Sequence, residues 1–275
     1  MKKLALLLLA LFTMLPSNLA AKSVKRFKVG VQCYSYKKFS FAETIEKVSE
    51  IGIKFVEIYP GQKLGGMPGV TSHKSDTKAR QYMLDTAKAN GVTIASYGVV
   101  RAKSEKEWRQ VFQFAKDLGI EVVLTEKPGK IMNTIEKVSK EFGIKVALHN
   151  HMTPTPKDVS ADLKGRNPLV GSGIDIGHWV RADLDIVKEF KKFSPRLHTM
   201  HIKDITERTK NGTCTPLGTG LMPLDKILAE LQAQDYQGVL ILEYEHHWDN
   251  PTPGIAQCAK YLEEYFATGS APTKL

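Results

Sequence analysis

The sequence predicts a (β/α)8 barrel, or TIM barrel, that forms a single domain. Short apolar runs alternate with amphipathic segments of helical period, and eight such units fit a chain of 275 residues. Four of the amphipathic segments end in a glycine just before the next apolar run, as expected where a helix closes in a left-handed cap: Gly52, Gly91, Gly119 and Gly143. The first apolar run continues as VGVQCYSYKKFSF without a glycine-rich phosphate fingerprint, which disfavours a doubly wound open sheet.

The eight predicted strands are short runs rich in valine and isoleucine, numbered one to eight along the chain. They read KVGVQCY, IKFVEIY, VTIASYG, IEVVLTE, IKVALHN, GSGIDIG, RLHTMHI and GVLILEY. The helices between them repeat apolar residues every three to four positions: FAETIEKVSEIG, TKARQYMLDTAKANG, EKEWRQVFQFAKDLG, MNTIEKVSKEFG, LDIVKEFKKF and LDKILAELQAQ. PKDVSADLKG predicts a weak fifth helix, and PGIAQCAKYLEEYF an eighth. No linker rich in proline, glycine or serine divides these segments.

Residues 1–21 are typical of a secretory signal peptide. The segment MKKLALLLLALFTMLPSNLAA combines two lysines with an apolar run from Leu4 to Leu15 and ends in two small residues. The run is too short for a membrane span, no later segment reaches the required length, and no cysteine follows it to accept a lipid. We therefore expect a bacterial protein that is periplasmic or secreted, without a membrane anchor, whose barrel domain occupies residues 22–275.

Composition narrows the function classes. The formal net charge is +10, but the excess lysines are spread through amphipathic segments such as EFKKF, which is typical of solvated helix faces rather than of a nucleic-acid patch. We therefore predict no nucleic-acid partner, while an anionic substrate stays open. The 3 cysteines are odd in number and widely spaced, so a disulfide framework is not indicated, although one pair could form.

Polar residues follow most of the predicted strands, at the end where the active sites of this fold collect. Imidazoles and charged side chains recur at the ends of strands two and four to eight: Glu57, Glu126, His149, His151, Asp175, His178, His201, Lys203, Glu243 and Glu245. A single histidine near a strand end is usually structural. The recurrence of imidazoles and charged side chains at successive strand ends predicts instead that these residues converge on one site.

Alternation along each strand selects the residues that point into the barrel. His149 and His151 share one face because side chains two positions apart point the same way. The predicted inward set, with Glu126 beside it, consists of His149, Asp175, His201 and Glu243. Its nitrogen and carboxylate ligands, without thiolate, suit one divalent Mn, Zn, Co, Fe or Mg ion. A network of buried ion pairs is the alternative interpretation.

Five motifs carry a resemblance to a known family: VALHNH at strand five, IDIGHW at strand six, HTMHIKD at strand seven, PLGTG in the following loop and ILEYE at strand eight. On these the chain resembles the xylose isomerase-like barrels, which include sugar isomerases and epimerases, inosose dehydratases and the endonuclease IV group. The resemblance implies metal ligands at His149, Asp175, His201 and Glu243. It also implies a substrate contact at His178.

One departure from the family pattern bears on the reaction. Many members have a glutamate, within an ENH-like motif, where this chain has His149. This puts in doubt the epimerase mechanism in which two metal-bound glutamates exchange a proton. Glu126 is the candidate for the missing carboxylate, and either His149 or His151 can be the strand-five ligand. The HNH form is similar to inosose dehydratases and to barrels that act on 3-keto sugars.

The predicted function is a metal-dependent sugar isomerase or epimerase that acts on a free sugar or keto-sugar by removing a proton α to a carbonyl. A lyase, dehydratase or hydrolase-type elimination on a 3-keto glycoside or inosose is the alternative. A non-catalytic carbohydrate-binding barrel is a candidate of another class. An endonuclease IV-like nuclease is disfavoured, because strand three ends in SYGVV and the loop after strand seven lacks a second metal-binding pair.

Roles are predicted for the residues around the ion. The catalytic candidates are Glu243, His151, His178, Glu57 and Lys203. Lys203 would hold a hydroxyl or stabilise negative charge, or else is a surface lysine. The substrate-binding candidates are Tyr34, Trp179, Arg181 and Glu245. Tyr34 and Tyr59, at the ends of strands one and two, would stack on a sugar face or pack in the core or rim. Trp179 would form a substrate wall or pack against the barrel.

Overall fold

The apolar runs form a closed parallel barrel in the computed structural model, which describes residues 24–193 and 196–272. Within these ranges the strands are β1 (Lys28–Gln32), β2 (Phe55–Ile58), β3 (Thr93–Val100), β4 (Val122–Thr125), β5 (Lys145–His149), β6 (Val170–Asp175), β7 (Leu197–Ile202), β8 (Asp204–Ile205), β9 (Cys214–Thr215) and β10 (Val239–Leu242). Strands β1 to β7 pair in order, and β10 closes the ring between β7 and β1. The predicted barrel is confirmed. The predicted signal peptide lies outside the described residues and stays a prediction.

Helices cover the outside of the barrel. They are α1 (Phe41–Glu50), α2 (Thr77–Ala89), α3 (Glu105–Asp117), α4 (Met132–Phe142), α5 (Pro156–Leu163), α6 (Ile176–Arg181), α7 (Ile186–Phe190), α8 (Leu224–Ala233) and α9 (Thr252–Thr268). The weak fifth helix is a regular two-turn helix, because Thr155 and Asp158 form a capping box at its start. No helix in the described part of the chain is long and apolar enough to cross a membrane.

The sixth strand is shorter than its sequence run predicts. GSGIDIG was predicted as one strand, but β6 ends at Asp175 and α6 begins immediately after it. The Asp175 carboxylate accepts a hydrogen bond of 3.0 Å from the backbone N–H of His178 and so acts as the N-cap of the helix. This turn sets His178 directly above Asp175 at the mouth of the barrel.

Strand register brings the predicted inward residues together. His149 lies opposite Gly173 in the β5–β6 pair, and Asp175 lies opposite His201 in the β6–β7 pair. Gly173 leaves room for close approach, since a Cβ there would lie 2.9 Å from the Ala147 Cβ inside the barrel. The floor of the site is therefore built from three adjacent strands in close contact.

A carboxylate after β7 organises the loop that follows. Asp204 accepts four backbone N–H bonds of 2.9–3.0 Å, from Ile205, Gly218, Gly220 and Met222. The aspartate of the motif HTMHIKD thus holds the loop motif PLGTG. This contact accounts for Asp204 and for the loop motif PLGTG, and it does not involve the site.

We expect Asp204→Ala to lower the free energy of unfolding by about 3 kcal/mol, because it strips buried backbone N–H groups of a charged acceptor. Urea denaturation followed by circular dichroism measures the change. Asp249→Ala is the matched control, since Asp249 is exposed and, among the described residues, pairs only with Lys38; it should cost less than about 0.5 kcal/mol. Equal losses in the two variants would contradict the structural role of Asp204.

Candidate active site

Three buried side chains at the carboxyl end of the barrel form a group that could hold a metal ion. One ligand atom from each of His149, Asp175 and His201 lies within 4.8 Å of the others. They come from β5, β6 and β7, and each is at most 2% exposed. His149 belongs to this group and His151 does not, although the sequence left the choice open.

The protonation of His149 suits a ligand. Burial, followed by the neighbouring His201, lowers the pKa of His149 to about 3, so its imidazole is neutral. Its Nδ1 has no hydrogen-bond partner among the described residues. A buried polar atom without a partner is costly, and a neutral imidazole nitrogen beside a carboxylate is a typical ligand pair for a divalent ion. The donor set therefore fits the predicted ion.

Both ring nitrogens of His201 contact carboxylates. Its Nε2 lies 2.8 Å from Glu57 Oε1 and its Nδ1 lies 3.0 Å from Glu243 Oε2. Burial alone would lower the pKa of His201, but these two carboxylates hold it well above the ordinary value. This state carries positive charge into a site rich in carboxylates. A divalent ion held by His201 would replace the proton on Nδ1, because a histidine ligates as a neutral imidazole, while Nε2–H would stay bonded to Glu57.

Glu57, a predicted catalytic residue, lies below the pocket rather than in its wall. Its carboxylate accepts hydrogen bonds of 2.6 Å from Gln32 Nε2 and from Ser96 Oγ, besides the contact with His201. The side chain is fully buried. Because Glu57 is fully buried and does not line the cavity, the geometry favours a positioning role in which Glu57 orients His201.

Lys203 is a buried cation and not a surface lysine. Its Nζ lies 2.8 Å from Asp175 Oδ2, 2.7 Å from Glu243 Oε2 and 3.0 Å from Glu245 Oε2. Burial alone would lower its pKa, but the carboxylates raise it well above the ordinary value. Burial alone would likewise raise the pKa of Glu243, yet Lys203 and His201 keep it well below the usual range. Glu243 is therefore a weak base in this environment.

Glu126 lies apart from the metal-capable group. One oxygen lies 3.0 Å from His151 Nδ1, and the other accepts a 2.7 Å bond from Arg101 Nη2. Burial alone would raise the pKa of Glu126, but Arg101 and then His151 lower it to about 2. Both carboxylate oxygens of Glu126, a predicted metal ligand, are therefore engaged by the side chains of Arg101 and His151.

The histidine pair His151 and His178 lies next to His149. The His151 ring centroid is 5.0 Å from that of His149 and 4.9 Å from that of His178. Burial lowers the pKa of His178, so this imidazole is neutral, and its Nδ1 has no hydrogen-bond partner among the described residues. Two imidazoles are therefore available to a ligand above the metal-capable group.

A cavity of about 320 Å³ opens above these residues. Its polar wall includes the four imidazoles and two of the carboxylates already described: His149, His151, His178, His201, Glu243 and Glu245. Tyr34 and Tyr59 form the opposite, aromatic part, with ring centroids 5.2 Å apart. Trp248 packs on Tyr34 at 5.9 Å and extends this surface. The size and mixed lining suit one sugar-sized ring.

Comparison with known proteins agrees with the fold and the motifs. Residues 45–265 match the family described as xylose isomerase-like TIM barrel. The chain belongs to this family. Within it, inosose dehydratase 1 of Bacillus cereus is 27% identical over 154 residues, which are 48% of this chain and 52% of that protein. The chain thus spans about half the length of the curated relatives it matches.

Two solved structures superpose over most of the chain. An uncharacterised protein from Parabacteroides distasonis has a TM-score of 0.72 and 28% identity, covering 86% of this chain and 98% of its own. The IOLI protein with a zinc atom has a TM-score of 0.66 and 14% identity, covering 90% and 100%. At that identity the second likeness shows the fold alone.

Two residues of the motif IDIGHW and its continuation, Trp179 and Arg181, do not line the first cavity. Trp179 is fully buried, donates a 3.0 Å bond to Pro154 O and packs on Phe193, so the prediction that it forms a substrate wall is wrong. The alternative, barrel packing, is correct because α6 turns the indole away from the pocket. Arg181 faces a neighbouring cavity and donates a 2.8 Å bond to Gly212 O.

Sequence reasoning missed Asn150, the middle residue of the HNH motif. Its amide accepts a 3.0 Å bond from the Asp175 N–H and donates a 3.0 Å bond to the Asp175 carbonyl. Asn150 is fully buried and fixes the end of β6 against β5. Sequence reasoning also missed Trp248. The one feature of the sequence that could have indicated it is an aromatic residue shortly after strand eight.

Proposed function

We propose that this chain is a divalent-metal-dependent enzyme that removes a proton α to the carbonyl of a keto-sugar or inosose and eliminates the β-oxygen substituent. The observation that carries the proposal is the pairing of His151 with Glu126 beside a buried, metal-capable group. The likeness to inosose dehydratases supports the same reaction class. The aromatic part of the cavity suits the face of the sugar ring.

The residues that would hold the ion are His149, Asp175 and His201, with Glu243 beside them. When bound, a divalent ion supplies an electrophile for the carbonyl oxygen of the substrate. Lys203 contacts two of the surrounding carboxylates, Asp175 and Glu243, and balances their charge. This buried cation keeps the carboxylates ionised and in place.

His151 is the proposed base. Because the carboxylate of Glu126 lies at Nδ1, it accepts that N–H and leaves Nε2 as the nitrogen that takes up a proton. The C–H bond α to the carbonyl breaks, and its electron pair forms the carbon–carbon double bond as the β-carbon–oxygen bond breaks. The same imidazolium then returns the proton to the departing oxygen, which leaves as water or an alcohol. His178 holds a substrate hydroxyl next to it.

Isomerisation or epimerisation is the second candidate. Glu243 and His151 both line the cavity but come from the ends of different strands, so two bases could approach a substrate from different positions. The low pKa of Glu243 argues against this candidate, because a carboxylate held strongly ionised takes up a proton poorly. Elimination needs only His151.

Incubation in heavy water tests the proposal. The purified chain is loaded in turn with Mn, Zn and Co, its metal content is measured, and it is incubated with an inosose, 3-keto glucosides and ketoses. We expect loss of water or an alcohol from at least one compound, with deuterium at the α-carbon of recovered substrate when proton abstraction reverses, followed by mass spectrometry and NMR. Exchange without loss would favour the isomerase candidate. Absence of both exchange and loss with all compounds at full metal occupancy would refute both candidates and leave the carbohydrate-binding barrel.

A further inference from the structure

A second cavity adjoins the candidate active site. It has a volume of about 440 Å³ and shares His151 and His178 with the first cavity as a common wall. A ligand whose reacting ring lies against these imidazoles can therefore extend past them into the second space. Met152, 39% exposed, contributes an apolar surface for such an extension.

The second cavity is lined by positive charge. Its cations are Lys127, Arg181 and Lys210. Among the described residues that line it, Glu126 is the one carboxylate, and both of its oxygens are already engaged by Arg101 and His151. The uncompensated charge of the cavity is positive, which favours an anionic ligand.

Contacts between loops fix two of these cations in place. The Arg181 Nε donates a 2.8 Å bond to Gly212 O and so ties α6 to the β8–β9 hairpin, which carries Lys210. Lys127 Nζ donates a 2.7 Å bond to Thr153 Oγ1 in the loop after β5. The positive charge of the cavity therefore comes from separate segments of the chain, and hydrogen bonds hold two of the three cations, Lys127 and Arg181, in place.

We infer that this cavity is a subsite for an acidic substituent, a carboxylate, sulfate or phosphate, on a part of the substrate that extends beyond the reacting ring. The substrate class is then an acidic two-unit compound rather than a single neutral sugar. This inference rests on the proposed function for the position of the reacting ring only. The acidic group is recognised by Lys127, Arg181 and Lys210, none of which belongs to the metal-capable group.

The test compares two probes that differ in one group: cellobionate, which carries a carboxylate, and cellobiitol, in which a hydroxymethyl replaces it. Binding to the full chain is measured by isothermal titration calorimetry at low salt. We expect cellobionate to bind about tenfold more tightly than cellobiitol, as two charge-assisted contacts to one carboxylate would give. The double substitution Lys127→Gln with Lys210→Gln should reduce this preference to about twofold or less.

Two controls keep the result specific. Lys130→Gln with Lys226→Gln removes the same charge from exposed lysines that do not line the cavity, and should retain the preference. Unchanged affinity for cellobiitol verifies that the variants are folded. Equal affinity of the wild type for the two probes, binding of neither at about 10 mM, or an unaltered preference in the double variant would overturn the subsite. Because binding needs no turnover, these results are separate from those of the heavy-water experiment.

Discussion

His201→Ala should abolish both metal binding and turnover. The substitution removes one of the three groups that could hold the ion and leaves Glu57 and Glu243 facing each other without the imidazolium between them. We expect kcat/KM to fall by at least about 10³-fold, or about 4 kcal/mol of transition-state stabilisation. Glu243→Ala should likewise lower both the metal content and kcat/KM. Metal content is measured by mass spectrometry of the purified proteins, alongside the heavy-water assay.

The matched control for this prediction lies on the same strand. His198→Ala removes another imidazole from β7, but His198 lies toward the other end of the strand, against Gly171, and is not part of the metal-capable group. It should retain both the metal and the turnover. Full metal occupancy in both His201→Ala and Glu243→Ala would show that the ion is held elsewhere.

The inward residues could be predicted from the sequence because strands have a strict period. His149 and His201 follow from alternation along their own strands, and the fold places the ends of parallel strands on one rim. Asp175 follows from its position at the end of strand six. None of these inferences needs information on how one loop lies on another.

The misplaced residues depend on contacts that alternation does not encode. Glu126 binds Arg101 and His151, and this pairing depends on how the loops after β3 and β5 meet the end of β4. Trp179 follows the predicted strand six, where Asp175 caps a helix, and the helix turns the indole into the core. Asp204 follows strand seven directly, but three of its four backbone partners lie fourteen to eighteen residues later in the chain.

The role of Glu126 leads to the second large prediction. His151→Gln should lower kcat by about 10³-fold, because the amide cannot take up the α-proton, while metal content stays unchanged. Glu126→Gln keeps an oxygen at His151 Nδ1 but removes its charge, so we expect a smaller loss, about 10- to 100-fold. Glu121→Gln, an exposed residue just before β4, should leave kcat unaltered.

The order of these effects decides which residue takes the proton. If Glu126 acts only through His151, then Glu126→Gln combined with His151→Gln should cost no more than His151→Gln alone, since the carboxylate then has no imidazole to orient. Additive losses would mean that Glu126 contributes separately. If His151→Gln still exchanges deuterium at the wild-type rate, the proton must go to another base, and Glu243 is the carboxylate nearest the metal-capable group that also lines the cavity. That result would favour isomerisation over elimination.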